Sequence, residues 1–477
     1  MLMLPELIIV FTAFLVLILD LIFLKKKNTW LVMIAIAGVV AAGISAFVLF
    51  EQTGELLGGR FAVDSVGLWF KLIFLVATGL TLMMSVEAFD VRAKGLLTHQ
   101  AEFLAVLLFS LSGMLFLVSS RDLISLYVSL ELATIPLFAL TAWSRTEVSG
   151  EGAFKYLAMG ALGSAFFLYG LGLLFGLTGH MSLVEIASAL QTGPALFLAA
   201  GLITAGVGFK LTLVPFHMWA PDAYQGAPTP VTAFLSVASK AAGVAVAFVI
   251  FYRLFGEHLS SWSGVVAVLA TVTMTVGNLV AVLQSNLKRF MAYSAISQAG
   301  YIILGFLGND AQNATAMVFY MLVYVVTNLA AFSVIVMHVH QTGREEIDSM
   351  KGLSITNPLL ALAMMVALFG LAGIPPLAGF VGKFFLFSVA AKAGYYWLVG
   401  VAAVNSTVSL YYYLRIVRQM YIEPPVAGTA PLRVSGLPAV GLVIATVGSM
   451  ILGVVPVFYE RIGADTIQWL ASLARVP

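Results

Sequence analysis

The stretch that decides the fold is LITAGVGFKLTLVPF, residues 202–216, where Lys210 and Pro215 interrupt an otherwise apolar segment. A second interruption occurs in GIPPLAGFVGKFFLF, residues 373–387, which carries Pro375, Pro376 and Lys383. Proline breaks a helix, and inside hydrocarbon the freed carbonyl groups need protein or water as partners. Each break therefore predicts a broken membrane helix that lines an internal cavity. Simple proline kinks are the alternative interpretation.

The composition of the whole chain fits this interpretation. Of its 477 residues, 61% are hydrophobic and only 10% are charged, whereas soluble proteins have about 25% charged residues. The chain has no cysteine, which excludes disulfides, thiolate zinc sites and cysteine-ligated clusters. The net charge of +2 is too small to indicate a nucleic-acid partner. We expect an all-α polytopic membrane protein with no metal or cofactor of its own.

Apolar stretches long enough to cross a bilayer recur along the chain, and we predict about 14 of them. They lie near 5–24, 30–50, 62–86, 102–120, 122–143, 153–177, 195–219, 228–253, 262–285, 289–308, 313–338, 358–391, 395–420 and 436–458. Loops after odd-numbered spans hold 14 Lys and Arg residues, and the other loops and the tail hold 6. The positive-inside rule then places both chain ends on the outer side.

The two breaks fall in about the seventh and twelfth spans, and this odd spacing reverses direction across the membrane. The pattern predicts two five-helix repeats of inverted topology, each with a broken helix. We assign residues 1–101 to three N-terminal helices, 102–260 to the first repeat and 261–420 to the second. Residues 421–477 form a final helix and a tail, for which an interfacial helix is one interpretation.

Four lysines fall within predicted spans: Lys71, Lys210, Lys240 and Lys383. A lysine near the bilayer centre costs about 2.5–3.5 kcal/mol on insertion scales unless it meets water or a carboxylate, or loses its proton. A single such lysine is explained by snorkelling or a structural ion pair as readily as by a functional role. Three deep lysines in separate spans favour a functional role, and Lys71, which is less central, stays ambiguous.

Glu131 is the one carboxylate that we place deep in an apolar span, in ISLYVSLELATIPLF, residues 124–138. A Glu–Lys pair lets the lysine's hold on its proton depend on the distance between the two charges. Moving one charge across 100 mV is worth about 2.3 kcal/mol, and two pKa units are worth about 2.7 kcal/mol. A switch of this kind is therefore energetically adequate for pumping protons.

Other polar residues lie near this predicted pathway. His217 follows the first break and suits a proton relay, or it packs helices together. Gln298 lies in KRFMAYSAISQAGY, residues 288–301, whose polar side chains either hold water or join helices. Asp222 lies in the loop after the first break, where it either shapes the turn or takes part in proton uptake or release.

At this point the residues resemble a known family. The run VPFHMWAPDAYQGAPTPVTAFLSVASK, residues 214–240, looks like the signature of the antiporter-like subunits of respiratory complex I. The segments SLELATIPLFAL, NLKRFMAYSAISQAGY, GIPPLAGFVGKFFLF and LYYYLR match the same family in the same order. That superfamily also includes subunits of multisubunit cation/proton antiporters and of membrane-bound hydrogenases.

The resemblance implies that Glu131 pairs with Lys210 and that Lys240 connects this pair to Lys383, a proton-translocating chain with His217 as a possible relay. Gln298 departs from several relatives that have histidine there, so a titrating group is missing at this position. The resemblance also implies neighbouring membrane subunits, and NAD, FMN, iron–sulfur clusters and quinone bound on partner subunits.

The main hypothesis is a proton-translocating membrane subunit of an NADH–quinone oxidoreductase, located in a bacterial cell membrane. Its electron transfer would occur on other subunits. A subunit of a sodium/proton antiporter or of a membrane-bound hydrogenase is the alternative. A third possibility is a structural scaffold in which the buried charges only pair with each other.

Overall fold

The computed structural model describes residues 1–23, 29–89, 99–256, 259–425, 430–434 and 436–473. Several basic residues used for the topology lie outside these ranges, namely Lys25, Lys26, Lys27, Arg92, Lys94 and Arg475. In the described part the chain is almost entirely helical. Its helices are α1 Leu4–Phe23, α2 Thr29–Val48, α3 Ser65–Ala88, α4 Gln100–Ser119, α5 Leu123–Thr141, α6 Glu147–Thr178, α7 Leu183–Ala189, α8 Pro194–Leu211, α9 Trp219–Gly226, α10 Thr229–Phe234, α11 Lys240–Arg253, α12 Leu259–Val282, α13 Leu287–Ile302, α14 Ala311–Thr342, α15 Leu353–Thr356, α16 Pro358–Ala372, α17 Ala378–Lys392, α18 Tyr396–Tyr421, α19 Gly436–Val454 and α20 Val457–Leu473.

Twelve helical segments in this part of the chain are long and apolar enough to cross a membrane. The predicted number was about 14. The two remaining predicted spans correspond to the pair α16 and α17, which a break divides into 15-residue halves, and to the 26-residue helix α18. The predicted spans near 153–177 and 313–338 are longer than expected, since α6 and α14 each have 32 residues.

Side-chain caps explain where several of these helices begin. The carboxylate of Asp122 accepts hydrogen bonds from the backbone amides of Ile124 and Ser125 at the start of α5. Asn286 caps α13 and Asp310 caps α14 in the same way. Such caps satisfy amide groups that have no partner within the helix. They hold α5, which carries Glu131, and α13, which carries Gln298, at fixed starting points.

The centre of the bundle is formed by α14 and by the segment Thr229–Arg253, whose apolar windows are completely buried. That segment consists of α10, a π-helical turn at Leu235–Ser239 and α11, which begins with Lys240. By contrast, α1, α2, α6 and α19 bury only about a third of their apolar windows. Their exposed apolar side chains face lipid or neighbouring protein. The helix that begins with Lys240 is completely buried and is shielded from both.

A short hairpin lies at the end of the bundle that the positive-inside rule predicts to face outside. Residues Gly54–Leu56 and Phe61–Val63 pair as an antiparallel hairpin, in which Glu55 lies opposite Ala62. The tail forms α20, whose Trp469 ring lies 4.9 Å from that of Phe248 and covers the Arg253 guanidinium at 5.6 Å. The tail is therefore a helix docked on this end of the bundle.

Candidate functional site

The first break lies directly after Lys210. Helix α8 ends at Leu211, and Thr212 takes a left-handed conformation with φ of 61°, which stops the helix. The following Val214–Pro215 peptide is cis. The amide of Val214 donates to the Thr273 hydroxyl at 3.1 Å, so a neighbouring helix supplies one partner for the irregular backbone. The break thus leaves the carbonyl end of α8 inside the protein.

Lys240 occupies this helix end. Its ammonium group donates to the carbonyl oxygen of Leu211 at 3.3 Å and also to the hydroxyl of Thr212. The carbonyl end of a helix carries partial negative charge and therefore stabilises a cation. Lys210 is adjacent, because a side-chain carbon placed on Gly243 would lie only 3.1 Å from its Cγ atom. The broken helix thus brings Lys210 and Lys240 to one place.

The second break repeats this arrangement with Lys383. Helix α16 ends at Ala372, and Gly373 follows with φ of 86°. The Lys383 ammonium donates to the Ala372 carbonyl oxygen at 3.0 Å and to the Ser406 hydroxyl at 3.2 Å. It also lies 4.5 Å from the centre of the Tyr301 ring. A side chain at Gly373 would be strained by its φ and would meet the stem of Lys383 at 3.0 Å, so glycine is required here.

Glu131 and Lys210 are close but not in direct contact. None of the ion pairs that the structure describes joins them: the Lys210 ammonium donates to the Thr134 hydroxyl at 2.6 Å, one helical turn after Glu131. The Glu131 carboxylate accepts from Ser164 at 2.5 Å. Lys210 is buried whereas Glu131 is only partly buried. The direct pairing that the resemblance implied is therefore absent, and Glu131 lies towards the lateral surface of the bundle.

The structure corrects the prediction that Glu131 is the one carboxylate deep in an apolar span. Glu6, in α1, is completely buried, and its carboxylate lies 2.6 Å from the ammonium of Lys71 in α3, which is 1% exposed. The ambiguous lysine is thus half of a buried ion pair. Glu6 is the second residue of the predicted span near 5–24, so its position near the end of the span concealed its burial.

His217 and Gln298 occupy different environments. His217 is partly buried, and its Nδ1 atom makes no hydrogen bond within the described part of the chain. Gln298 is completely buried, donates to the Leu371 carbonyl oxygen at 3.0 Å and accepts from the Tyr320 hydroxyl at 2.5 Å. Gln298 is therefore directly beside the second break, while no described bond connects His217 to the lysines.

Asp222 shapes the inner end of the first break. Its carboxylate accepts from Arg289 at 2.5 Å and from Lys155 at 2.7 Å, which links α9 to α13 and α6. Burial raises the pKa of Asp222, but the hydrogen bonds from Lys155 and Arg289 outweigh this effect and hold the pKa below its usual value. Asp222 thus remains charged at neutral pH as part of a three-residue clamp.

Asp64 forms a comparable clamp at the opposite end, which sequence reasoning did not identify. Its carboxylate accepts from Arg121 and from Arg253, each at 2.6 Å. Burial raises the pKa of Asp64, but the two positive charges of Arg121 and Arg253 lower it by more. The pKa of Asp64 therefore lies below its usual value. Since Arg253 ends the helix that Lys240 begins, this clamp fixes the end of that helix away from Lys240.

Comparison with known proteins identifies the family of the chain. The family described as NADH:quinone oxidoreductase/Mrp antiporter, transmembrane, matches residues 120–409. The NADH-quinone oxidoreductase subunit N of Moorella thermoacetica is 42% identical over 427 residues, which is 89% of each chain. The subunit N of Dehalococcoides mccartyi is 38% identical and covers 95% of this chain and 96% of its own.

Solved structures extend the comparison to the fold. A chain of respiratory complex I from Thermus thermophilus with bound aureothin is 34% identical, with a TM-score of 0.80, and the match covers 95% of this chain and 97% of that one. A chain of the Mrp complex from a Dietzia species has a TM-score of 0.88 over 98% of both chains, but its identity of 21% shows similarity of fold alone. The chain therefore belongs to the NADH:quinone oxidoreductase/Mrp antiporter family of membrane proteins, with relatives that include NADH-quinone oxidoreductase subunit N.

Proposed function

We propose that the chain is the proton-translocating subunit N of an NADH–quinone oxidoreductase. It lies in a bacterial cell membrane with both chain ends on the outer side, and it associates with other membrane subunits of the complex. NAD, FMN, the iron–sulfur clusters and quinone bind to partner subunits, where electron transfer takes place. This chain contributes the proton pathway. The sequence similarity to proteins named subunit N supports this assignment.

The observation that carries the proposal is how the three deep ammonium groups are held. Lys210, Lys240 and Lys383 are each 3% exposed or less, and their described hydrogen bonds go to hydroxyl or carbonyl oxygens. None of them contacts a carboxylate directly among the described ion pairs, in contrast to Lys71, which pairs with Glu6 at 2.6 Å. Neutral oxygens stabilise the cation less, so a moderate change in the surroundings releases the proton.

The proposed sequence of steps begins at Glu131, which is partly exposed on the side of the bundle. A charge movement in a neighbouring subunit alters the interaction between Glu131 and Lys210, and Lys210 releases its proton. Lys240, held at the same helix end, transfers a proton toward Lys383. Lys383 then releases a proton toward the outer side. The two inverted repeats, residues 102–260 and 261–420, would each contribute one broken helix to this path.

The test uses the assembled complex in inverted membrane vesicles. Replacing Lys210 or Lys383 by alanine should leave assembly, measured on native gels, intact while NADH-driven acidification of the vesicles falls. Lys392→Ala is the matched control, because Lys392 is 58% exposed and pairs with Asp310 at the surface. Lost assembly with unaffected residual pumping would instead favour a scaffold. Sodium uptake that persists without NADH would favour the antiporter.

A further inference from the structure

The ammonium group of Lys383 differs from those of the other two deep lysines because it lies against an aromatic ring. Its nitrogen lies over the ring of Tyr301, 4.5 Å from the ring centre. In the part of the chain that the structure describes, neither Lys210 nor Lys240 has such a contact, and their hydrogen bonds go to oxygen atoms. Lys383 therefore has a partner of a different chemical kind.

The hydrogen bonds of Lys383 leave one side of the cation for this ring. A charged lysine has three N–H donors, and the described oxygen partners are the Ala372 carbonyl group and the Ser406 hydroxyl. The Ser406 hydroxyl itself donates to the same carbonyl oxygen at 3.0 Å, which fixes its position. The face of an aromatic ring carries negative electrostatic potential and attracts a cation. The Tyr301 ring thus completes the surroundings of the ammonium group.

Three helices hold the Tyr301 ring in this position. Tyr301 is completely buried near the end of α13, and the preceding Gly300 packs so closely on α12 that a Cβ atom there would lie 2.7 Å from the Met274 amide nitrogen. The Asn278 amide of α12 donates to the Tyr301 hydroxyl at 3.4 Å. The Phe387 ring of α17 lies 6.1 Å from the Tyr301 ring. The hydroxyl is therefore engaged at α12, while the ring face is left for the ammonium group.

No charged side chain among the described residues competes with the ring for this ammonium group. Helices α16 and α19 and the turn at Ile303–Leu307, which pack against α17, contain no charged residue. The hydroxyls of Tyr320 in α14 and Tyr413 in α18 lie beside the same break. On the other packed helices, charged residues and histidines lie more than two turns away from the residues at the site, the nearest being Arg289 of α13, His338 of α14, Lys392 of α17 and Arg415 of α18.

The ring favours one protonation state of the lysine. A cation–π contact stabilises the charged ammonium form and not the neutral amine, and it strengthens where water is excluded. The ring also offers the proton no alternative site, whereas a carboxylate can accept one. Lys383 therefore keeps its proton while it lies over the ring, and it releases the proton more readily once that contact is broken.

We propose that Tyr301 is a positioning residue whose ring holds Lys383 in its protonated state between transfers, an inference that rests on the proposed function. Release toward the outer side requires the ammonium group to leave the ring, as its side chain turns or as α17 shifts against α13. One N–H bond then breaks as a water oxygen takes the proton, and the electron pair stays on the amine nitrogen. Tyr301 itself neither gains nor loses a proton.

The experiment compares Tyr301→Leu with Tyr301→Phe in the assembled complex. NADH-driven proton translocation in inverted vesicles is measured as a function of pH and normalised to the amount of assembled complex. Without the ring Lys383 should lose its proton at lower pH, so the alkaline half-point of translocation in Tyr301→Leu should fall by about one pH unit. Tyr301→Phe keeps the ring and removes only the hydroxyl, so its half-point should match that of the unmodified complex.

A fluorinated series separates the charge distribution of the ring from its bulk. Phenylalanine with one, two or three fluorine atoms, introduced at position 301, nearly keeps the shape of the ring while weakening the negative potential of its face. The alkaline half-point should fall stepwise with each fluorine. The same series at Tyr252 is the matched control, because Tyr252 is buried and no cation lies over its ring within the described structure. Its half-point should not move.

An unshifted half-point in Tyr301→Leu overturns the inference, and so does an equal shift in Tyr301→Phe, which would assign the effect to the hydroxyl. If Tyr301→Leu does not assemble, the fluorinated series decides, and a constant half-point across it overturns the inference. Lys383→Ala, measured in parallel, tests the proposed function separately. Normal translocation in Lys383→Ala means that the proposed function itself is wrong. An inactive Lys383→Ala together with unshifted Tyr301 variants means that only the role of the ring is wrong.

Discussion

Gly453→Ala should disable the second break without altering any ionisable group. Gly453, in α19, packs against the break so closely that an added Cβ atom would lie 2.5 Å from the Ala378 amide nitrogen and 2.6 Å from the Pro376 carbonyl oxygen. Ordinary contacts begin at 3.4 Å. The backbone at the start of α17 must therefore retreat by roughly 0.9 Å, because neither contact is with a flexible side chain.

Such a displacement is large compared with the range of distances over which the Lys383 hydrogen bond can form. Lys383 lies five residues beyond Ala378, and its ammonium is 3.0 Å from the Ala372 carbonyl oxygen. A retreat of this size, directed away from Ala372, stretches that distance to at most about 3.9 Å, outside hydrogen-bonding range. A misplacement of about 1 Å can cost about 100-fold in rate, and overpacking costs about 1–3 kcal/mol of stability. We expect proton translocation to fall about 100-fold while much of the complex still assembles.

The assay is NADH-driven acidification of inverted vesicles, normalised to the amount of assembled complex. Gly400→Ala is the control, since a side chain at Gly400 in α18 would meet nothing within 4 Å. Translocation at the unmodified rate in Gly453→Ala would refute the claim that the position of Lys383 at the helix end controls proton transfer. An equal loss in both variants would show that the defect comes from replacing glycine in the membrane.

Further predictions concern the ion pairs outside the lysine path. Glu6→Gln should lower the free energy of unfolding by about 3–5 kcal/mol because it leaves the Lys71 ammonium buried and unpaired, and adding Lys71→Met should restore most of it, as measured by thermal unfolding in detergent. The pKa of Asp64 is depressed in the folded protein, so its contribution to stability is present above the unfolded pKa and is lost as pH falls through the folded value. The difference in melting temperature between the unmodified protein and Asp64→Asn should thus be constant from about pH 8 to 5 and should shrink only below about pH 4. Asp222→Asn should cost less than Glu6→Gln, about 1 kcal/mol or less per lost pair, because the Asp222 side chain is 26% exposed; a melting temperature lowered as much as in Glu6→Gln would contradict this.

Much of the membrane fold was predictable from the sequence because long apolar runs and proline breaks act locally. The breaks around Pro215 and Pro375 coincide with the ends of α8 and α16. Burial of Lys210, Lys240 and Lys383 also agrees with their positions within apolar spans. These features follow from the cost of exposing backbone and charge to hydrocarbon, which depends little on which helices are neighbours.

Contacts between distant helices could not be predicted in the same way. The pairing of Glu6 with Lys71 depends on how α1 packs beside α3, and no pattern in either segment records that orientation. The same is true of Asp64, whose two arginines lie 57 and 189 residues away along the chain.

The contrast between Lys71 and Lys383 explains why position within a span is insufficient to define function. Both ammonium groups are buried in the same bundle, and both would be expensive without partners. Lys71 lies 2.6 Å from the Glu6 carboxylate, so its charge is paired inside the bundle. Lys383 meets a helix end and a hydroxyl, which can tolerate either form of the amine. In the proposed mechanism, a broken helix therefore provides a partial charge that is strong enough to keep a lysine buried and weak enough to let its proton leave.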